Sequence, residues 1–236
     1  MKEKIISASI LAVGIIVLGF TLKAGIDDFV NKDRVVSVKG LAEKEVMANN
    51  VHWDLKLRES GNDLKALYDK LAHKEDVVKS FLTSNGIAED DIHVGATLVI
   101  DRQTEVYSYE EGKIDRYIVK LTISVSSKDV KTVQAVAARQ GELLSQGVAL
   151  ASDNYDERCP ISYYYDGFSD VKPEMMKEAI ANAQKTAEQF AENSNSKLNK
   201  IITADQGQFS INPIDDNIPY KMNIRVVTTI TYSLKD

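Results

Sequence analysis

The 236-residue chain combines 44% apolar with 27% charged residues, a balance typical of a folded protein with a core, and this excludes wholesale disorder. Its formal net charge of −6 disfavours nucleic acid as a partner, because such binding depends on cationic side chains that displace phosphate counterions. A single cysteine, Cys159, excludes a disulfide framework or a thiolate zinc site within one chain.

The N-terminal region contains a long apolar segment preceded by positive charge. Residues 5–22, IISASILAVGIIVLGFTL, carry no charged side chain. As a helix this segment would span about 27 Å, close to the ~30 Å of a bilayer core. Lys2 and Lys4 favour a cytoplasmic location for residues 1–4. We predict a retained transmembrane anchor.

A cleaved signal peptide and a buried core helix are the two alternatives for this segment. Leu22 fits a cleavage site poorly, because a small residue is required at that position. The anchor and the signal peptide would both export the rest of the chain. We therefore expect a membrane-anchored protein whose main domain faces the periplasm or another extracytoplasmic space.

The predicted exported domain covers residues 35–236 and follows a charged linker at 23–34. Two halves, about 35–127 and 147–236, repeat the order strand–helix–strand–strand and are joined by a helix at about 129–145. The hairpin-rich order favours antiparallel pairing, with a helix over one face of each sheet. The predicted fold class is α+β.

Three strands and one helix are predicted in the first half. Apolar residues alternate over 51–57, 92–100 and 117–125, which is typical of half-buried strands. The helix between the first two strands can be capped by Asn62 or Asp63, and Asn85–Gly86 ends it.

The second half repeats this pattern after a joining helix that Ser127 or Asp129 opens. A strand at 161–165 precedes a long helix, which begins near Asp170 and Pro173. Strands follow from Leu198 towards Phe209 and over 222–234. The apolar stripe of the long helix is predicted to consist of Met176, Ile180, Ala183, Ala187, Phe190 and Ala191.

Several of these segments resemble, in the same order, the SIMPL domain family, a group of mostly bacterial exported proteins. SNGIAEDDIHV (84–94) resembles the end of the family's first helix and its next strand. AIANAQKTAEQFAENSNSKLNKIITADQG (179–207) resembles its Ala-rich helix and following strand, and RVVTTITYSL (225–234) resembles its closing strand. The resemblance extends from about Val35 to Leu234.

The resemblance implies a periplasmic location, a loose link to oxidative-stress defence and an ability to form homo-oligomers. It carries over no catalytic residues. One departure is the segment Ser196–Asn199, which lacks the glycine that commonly ends the family's long helix.

Three tyrosines are candidate interface residues. Tyr107 and Tyr109 lie in a predicted hairpin, and Tyr164 is placed on the outer face by its neighbours Tyr163 and Tyr165. Tyrosine is enriched at interfaces because it adds contact area with few rotatable bonds. We therefore predict self-association or binding of an unidentified protein partner through these surfaces.

Cys159 allows two interpretations. Arg158 beside it could favour a reactive thiolate, as a redox sensor requires. Alternatively, Cys159 shares its strand parity with Ile161 and would be a small buried apolar residue. His52, His73 and His93 are all predicted to lie at the surface.

The sequence contains no phosphate-binding loop, nucleophile elbow, paired-cysteine zinc motif or dinucleotide fingerprint. We therefore predict a protein that is not an enzyme and has no cofactor or metal. The expected function is that of a homo-oligomeric envelope scaffold or a stress-related interaction module. A module that binds a small molecule or lipid, and a redox sensor based on Cys159, are the alternatives.

Overall fold

Segments in which apolar residues alternate form β-strands, and segments in which they recur with helical periodicity form α-helices. A computed structural model describes residues 2–31, 34–104, 114–151 and 161–235. The strands in these ranges are β1 (Val35–Met47), β2 (Asn50–Gly61), β3 (Ile92–Val94), β4 (Leu98–Asp101), β5 (Tyr117–Ser127), β6 (Ile161–Tyr164), β7 (Lys197–Gln206), β8 (Ser210–Pro213) and β9 (Lys221–Lys235). The α-helices are α1 (Lys2–Asn31), α2 (Leu64–Ser84), α3 (Val130–Ala138), α4 (Glu142–Ser145) and α5 (Phe168–Asn193). Two antiparallel sheets with helices confirm the α+β class.

The chain forms two compact units whose segments alternate along the sequence. Unit 1 comprises Met1–Glu45, Phe168–Asn212 and Asn223–Asp236, and unit 2 comprises Val46–Gly167 and Pro213–Met222. The division therefore differs from two consecutive halves.

Two strands have exchanged sheets relative to the predicted halves. Strand β6, which was expected to open the second half, pairs with β2. Strand β1 lies within the residues assigned to the first half but pairs with β9 in the other sheet. The physical reason is that apolar alternation predicts a strand without specifying its partner.

Unit 2 builds its core from large side chains. Its sheet has the order β3–β5–β2–β6, with β4 also paired to β5. The β2–β5 register sets Trp53 opposite Val125 and Leu55 opposite Ile123, and all four are fully buried. Helix α2 packs on β2 and β5. It adds Leu67, Leu71, Val78, Phe81 and Leu82 to the same core.

The predicted helix ends in unit 2 are confirmed. The Asp63 carboxylate accepts a hydrogen bond from the Ala66 N–H at 3.1 Å and so caps α2. Gly86, with a φ of 94°, follows the end of that helix in the left-handed region. Asp129 caps α3 by accepting from the Thr132 N–H at 3.1 Å.

Two elements that were predicted as continuous are each divided. The strand expected over 92–100 forms β3 and β4, because its register with β5 shifts by one residue after Gly95. The joining helix expected at 129–145 forms α3 and α4. Gly141, a residue of low helix propensity, lies in the interruption between them.

Unit 1 places α5 on a sheet of order β1–β9–β7, with β8 also paired to β9. The contact is unusually close, because a Cβ added to Gly40 would lie 1.9 Å from the Ala179 carbonyl oxygen and 2.7 Å from the Ala183 nitrogen. The sheet side of this small core comprises Val38, Ile230 and Tyr232.

The predicted stripe of α5 is wrong in part. Its buried residues are Val171, Met175, Ala179, Ala183, Ala187 and Ala191. Ile180 and Phe190, which the stripe included, are 40% and 59% exposed. The cause is the close approach at Gly40, which selects small side chains for the buried face. Hydrophobicity alone favours the larger ones.

The structure does not support the transmembrane helix predicted over residues 5–22. Within the part of the chain that it describes, no helix is long and apolar enough to cross a membrane.

Candidate functional site

An open polar cleft of about 720 Å³ lies in unit 2, beside the ends of β2, β5 and β6 and the start of α3. Strand pairing brings the lining together from distant parts of the sequence. It consists of Asn50, Val51, His52, Asp91, Ser126, Ser127, Lys128, Asp129, Tyr164 and Asp166.

A hydrogen-bond network on the outer face of the sheet fixes His52 at this cleft. The β2–β5 register sets His52 opposite Ser126 and Asp54 opposite Ser124. The His52 ring contacts the Ser126 hydroxyl through Nδ1 at 2.8 Å and the Asp54 carboxylate through Nε2 at 3.1 Å. In the neutral ring, Nε2–H therefore donates to Asp54, while Nδ1 accepts from the Ser126 O–H.

Both ring nitrogens of His52 are thus occupied, and the ring is held in one orientation. The connectivity is that of a serine–histidine–aspartate relay. However, the side chains of His52 and Asp54 remain 37% and 27% exposed, so the site lacks the dry surroundings of an activated nucleophile. The predicted surface location of His52 is confirmed, but its partner Ser126 could not be identified without the register.

Paired asparagines position the acidic rim of the cleft. The Asn49 side-chain oxygen accepts a hydrogen bond from the Asp166 N–H at 2.9 Å, and the Asn50 amide donates to the Asp166 carboxylate. The Asn49 N–H also donates to the Tyr164 carbonyl at 3.0 Å. The turn after β6 is therefore tied to the start of β2.

Asp129 contributes a second fixed carboxylate. It accepts hydrogen bonds from the Thr132 hydroxyl at 2.6 Å and from the Thr132 N–H at 3.1 Å. These bonds stabilise the ionised form and lower the pKa of Asp129. The rim therefore keeps this negative charge at neutral pH.

Tyr164 is exposed, as expected from its parity, with 52% of its surface accessible. Its neighbour Tyr163 instead packs edge-to-face on Tyr220, with ring centroids 6.1 Å apart, and partial burial raises the pKa of Tyr163. The other three predicted site residues, Tyr107, Tyr109 and Cys159, lie outside the described residues.

Unit 1 exposes apolar side chains on an edge strand. Ile201 and Ile202 of β7 are 55% and 51% exposed, and nearly every residue of that strand is exposed. Sequence analysis identified both isoleucines as strand residues, but it could not predict that none of the described elements covers them.

Carboxylates and histidines do not assemble into a metal centre in the parts described. No group of three or more His, Cys, Asp or Glu side chains within 2–31, 34–104, 114–151 and 161–235 is arranged to hold a metal ion.

A family model described as SIMPL, protein of unknown function (DUF541), matches residues 36–231. The match covers strands of both units and all of α2 to α5. A comparison with curated proteins finds no match.

Proposed function

The chain belongs to the SIMPL family, and from this premise we propose that it is a non-catalytic, self-associating interaction module that works outside the cytoplasm. The observation that carries the proposal is the exposed apolar pair Ile201 and Ile202 on the edge strand β7. Adjacent large apolar residues on an open edge favour association, because burying them removes apolar surface from water.

The module would serve as an envelope scaffold or in a stress-related assembly. Tyr164 supplies a second exposed aromatic surface in unit 2, and its large ring suits a protein interface. An extracytoplasmic location is supported by the charge-free run at 5–22 after Lys2 and Lys4. In α1 the apolar side chains Leu11, Phe20 and Leu22 are 67%, 71% and 57% exposed, which favours attachment to a membrane by this segment.

The test of self-association uses full-length protein in mild detergent. Light scattering on a sizing column should show a discrete homo-oligomer that Ile201→Lys together with Ile202→Lys disrupts. Asn199→Lys together with Thr203→Lys is the matched control, because it adds the same two charges to exposed positions of the same strand and should leave the mass unchanged. A monomer at high concentration, with no effect of Tyr164→Ser, would contradict the proposal.

The test of location is fractionation of cells, followed by intact mass of the recovered chain. We expect the full-length chain in the membrane fraction. A soluble chain that begins near residue 25 would contradict attachment and indicate a released protein.

The polar cleft favours a second candidate, binding of a small polar molecule. The lining of the cleft carries three carboxylates, those of Asp91, Asp129 and Asp166, and one lysine, Lys128. Because negative charge predominates there, a ligand with a positive charge fits better than a lipid. Native mass spectrometry of gently purified protein should then show an adduct that Asp166→Asn weakens. A bare mass would remove this candidate.

The redox alternative depends on Cys159. Thiol titration with and without peroxide tests it directly, since a sensor should react faster than free cysteine. A thiol of ordinary reactivity would exclude the sensor.

A further inference from the structure

Strand β1 is an open edge of its sheet over 13 residues, because β9 is its one partner in the sheet of the described chain. The Leu234 N–H donates to the Arg34 carbonyl at 2.9 Å, and the Ala48 N–H donates to the Tyr220 carbonyl at 2.8 Å. The residue numbers of the two pairs have the same sum, as antiparallel strands require when no net shift of register occurs between the two ends of β1.

This register decides which backbone groups are free to pair. In an antiparallel ladder, alternate residues direct both backbone groups to the same neighbour. Even-numbered residues of β1 therefore bond to β9, and odd-numbered residues direct their N–H and C=O groups away from it. The Asn182 amide donates to the Leu41 carbonyl at 2.8 Å, which agrees with a carbonyl on the open side. A carbonyl oxygen has a second lone pair for another donor.

The opposite edge of the same sheet is less suitable for strand pairing. The pairing of β7 with β9 shifts register between Leu198 and Ile201 and again between Ile201 and Thr203. Such irregularities interrupt the regular row of backbone groups that a new strand needs. Strand β1 is regular in comparison, so it is the better template.

The charges along β1 are complementary to those of a second β1 that runs antiparallel to it. If Leu41 lies opposite Leu41 of a second copy, Lys39 of each copy faces Glu43 of the other. Lys39 and Glu43 of one chain are about 13 Å apart along the strand and cannot pair with each other. Lys39 has no ion-pair partner among the described side chains, while Glu43 lies 3.4 Å from Arg225.

Other registers of two antiparallel β1 strands pair Lys39 and Glu43 with opposite charges less completely. A shift by two residues in one direction sets Lys39 against Leu41 and Ser37 against Glu43. The same shift in the other direction pairs Lys39 with Glu45 but sets the apolar Leu41 against Glu43. The register centred on Leu41 pairs both charges and also brings the two partly exposed leucines together.

We propose that β1 pairs antiparallel with β1 of a second copy of this chain, about a two-fold axis at Leu41, and so joins two sheets into one. This interface rests on the proposed self-association and adds to it a second contact, made through the backbone of the opposite edge strand. It is distinct from the apolar surface of β7.

Cross-linking tests the geometry directly. Full-length protein in mild detergent, carrying Cys159→Ser and Leu41→Cys, should form a disulfide-linked dimer under mild oxidation. Directly opposed residues of this kind have Cα atoms about 5.5 Å apart, within the range that a disulfide spans. Thr203→Cys on β7 is the matched control and should cross-link far less.

A charge exchange tests the register. Lys39→Glu and Glu43→Lys should each weaken dimerisation by about tenfold or more, because every dimer loses two ion pairs and gains two repulsions. The double variant Lys39→Glu, Glu43→Lys should restore it. Lys70→Glu makes the same charge change at an exposed position of α2 and should have no such effect, and circular dichroism checks that each variant folds.

The outcomes separate this interface from self-association in general. A stable oligomer that forms no Leu41→Cys cross-link and does not respond to the charge changes would overturn the β1 interface and leave self-association in place. A wild-type monomer would overturn both. Weakening by the single variants without recovery in the double variant would overturn the register centred on Leu41.

Discussion

The two units place a helix on a sheet in opposite ways. In unit 1, α5 meets β1 backbone to backbone at Gly40, through a face made largely of alanine. In unit 2, α2 meets its sheet through leucine, valine and phenylalanine side chains that surround Trp53 and Leu55. The packing of α5 on its sheet therefore requires small side chains at the contact, whereas the packing of α2 on its sheet requires large ones.

The largest expected effect comes from adding one methyl group to unit 1. In Gly40→Ala the new Cβ would lie 1.9 Å from the Ala179 carbonyl oxygen, and a helix backbone cannot yield as a flexible side chain can. We expect a loss of more than about 4 kcal/mol in the free energy of unfolding, measured by urea denaturation.

Gly141→Ala is the matched control for this change. Gly141 has helical angles and open space around its Cβ position, so the same methyl group should be neutral or stabilise by about 0.4–1 kcal/mol. Equal effects at the two glycines would contradict the close contact of α5 with β1.

Removing volume from unit 2 should have the next largest effect. Leu55 is fully buried, and Leu55→Ala should cost about 2–5 kcal/mol through lost burial and the cavity left behind. Leu144→Ala, at a position 65% exposed, should change stability by less than about 0.5 kcal/mol. Thermal and urea unfolding would measure both, and a small loss at Leu55 would show that unit 2 does not depend on its volume.

A smaller effect is expected from the cap of α2. Asp63→Ala removes the acceptor for the Ala66 N–H and should cost about 1 kcal/mol in urea unfolding. Asp63→Ser keeps a capping oxygen and should recover most of the loss. A cost as large as that of Leu55→Ala would mean that the helix end, rather than the core, fixes α2.

The smallest expected effect depends on pH. The ionised Asp129 is favoured in the folded protein, so its stabilisation is complete above the ordinary carboxyl pKa of about 3.9 and is lost as pH falls through the lower folded value. Wild type should therefore exceed Asp129→Asn in urea midpoint at pH 7, and the difference should narrow in acid. Thr132→Val removes the hydroxyl that donates to Asp129. In that background, Asp129→Asn should therefore lower the urea midpoint at pH 7 by less than it does in the wild type. A difference that is independent of pH would contradict a role of the charge.

Local features of the fold could be predicted because their causes are local. Asp63, Asp129 and Gly86 act on residues within one helical turn, and the alternation over 222–234 directly matches the buried face of β9. The surface position of Tyr164 follows from the same parity.

Long-range features could not be predicted, because they depend on which segments meet. The partners of β1 and β6, the buried face of α5 and the contact of His52 with Ser126 all arise from pairing between distant residues. Gly40 shows the same limit, since an isolated glycine in a strand does not reveal whether a helix, a ligand or solvent lies above it.

The position of β9 has a consequence for how unit 1 folds during synthesis of the chain. The sheet of unit 1 cannot form until its middle strand β9 has been synthesised, and β9 is the last of the described strands in chain order. At synthesis rates of about 5–20 residues per second, the roughly 170 residues between β1 and β9 take about 10–40 s to emerge. Throughout that interval β1 has two open edges. Its charged residues keep the nascent strand in solution until its permanent neighbour appears; they are Lys39, Glu43, Lys44 and Glu45.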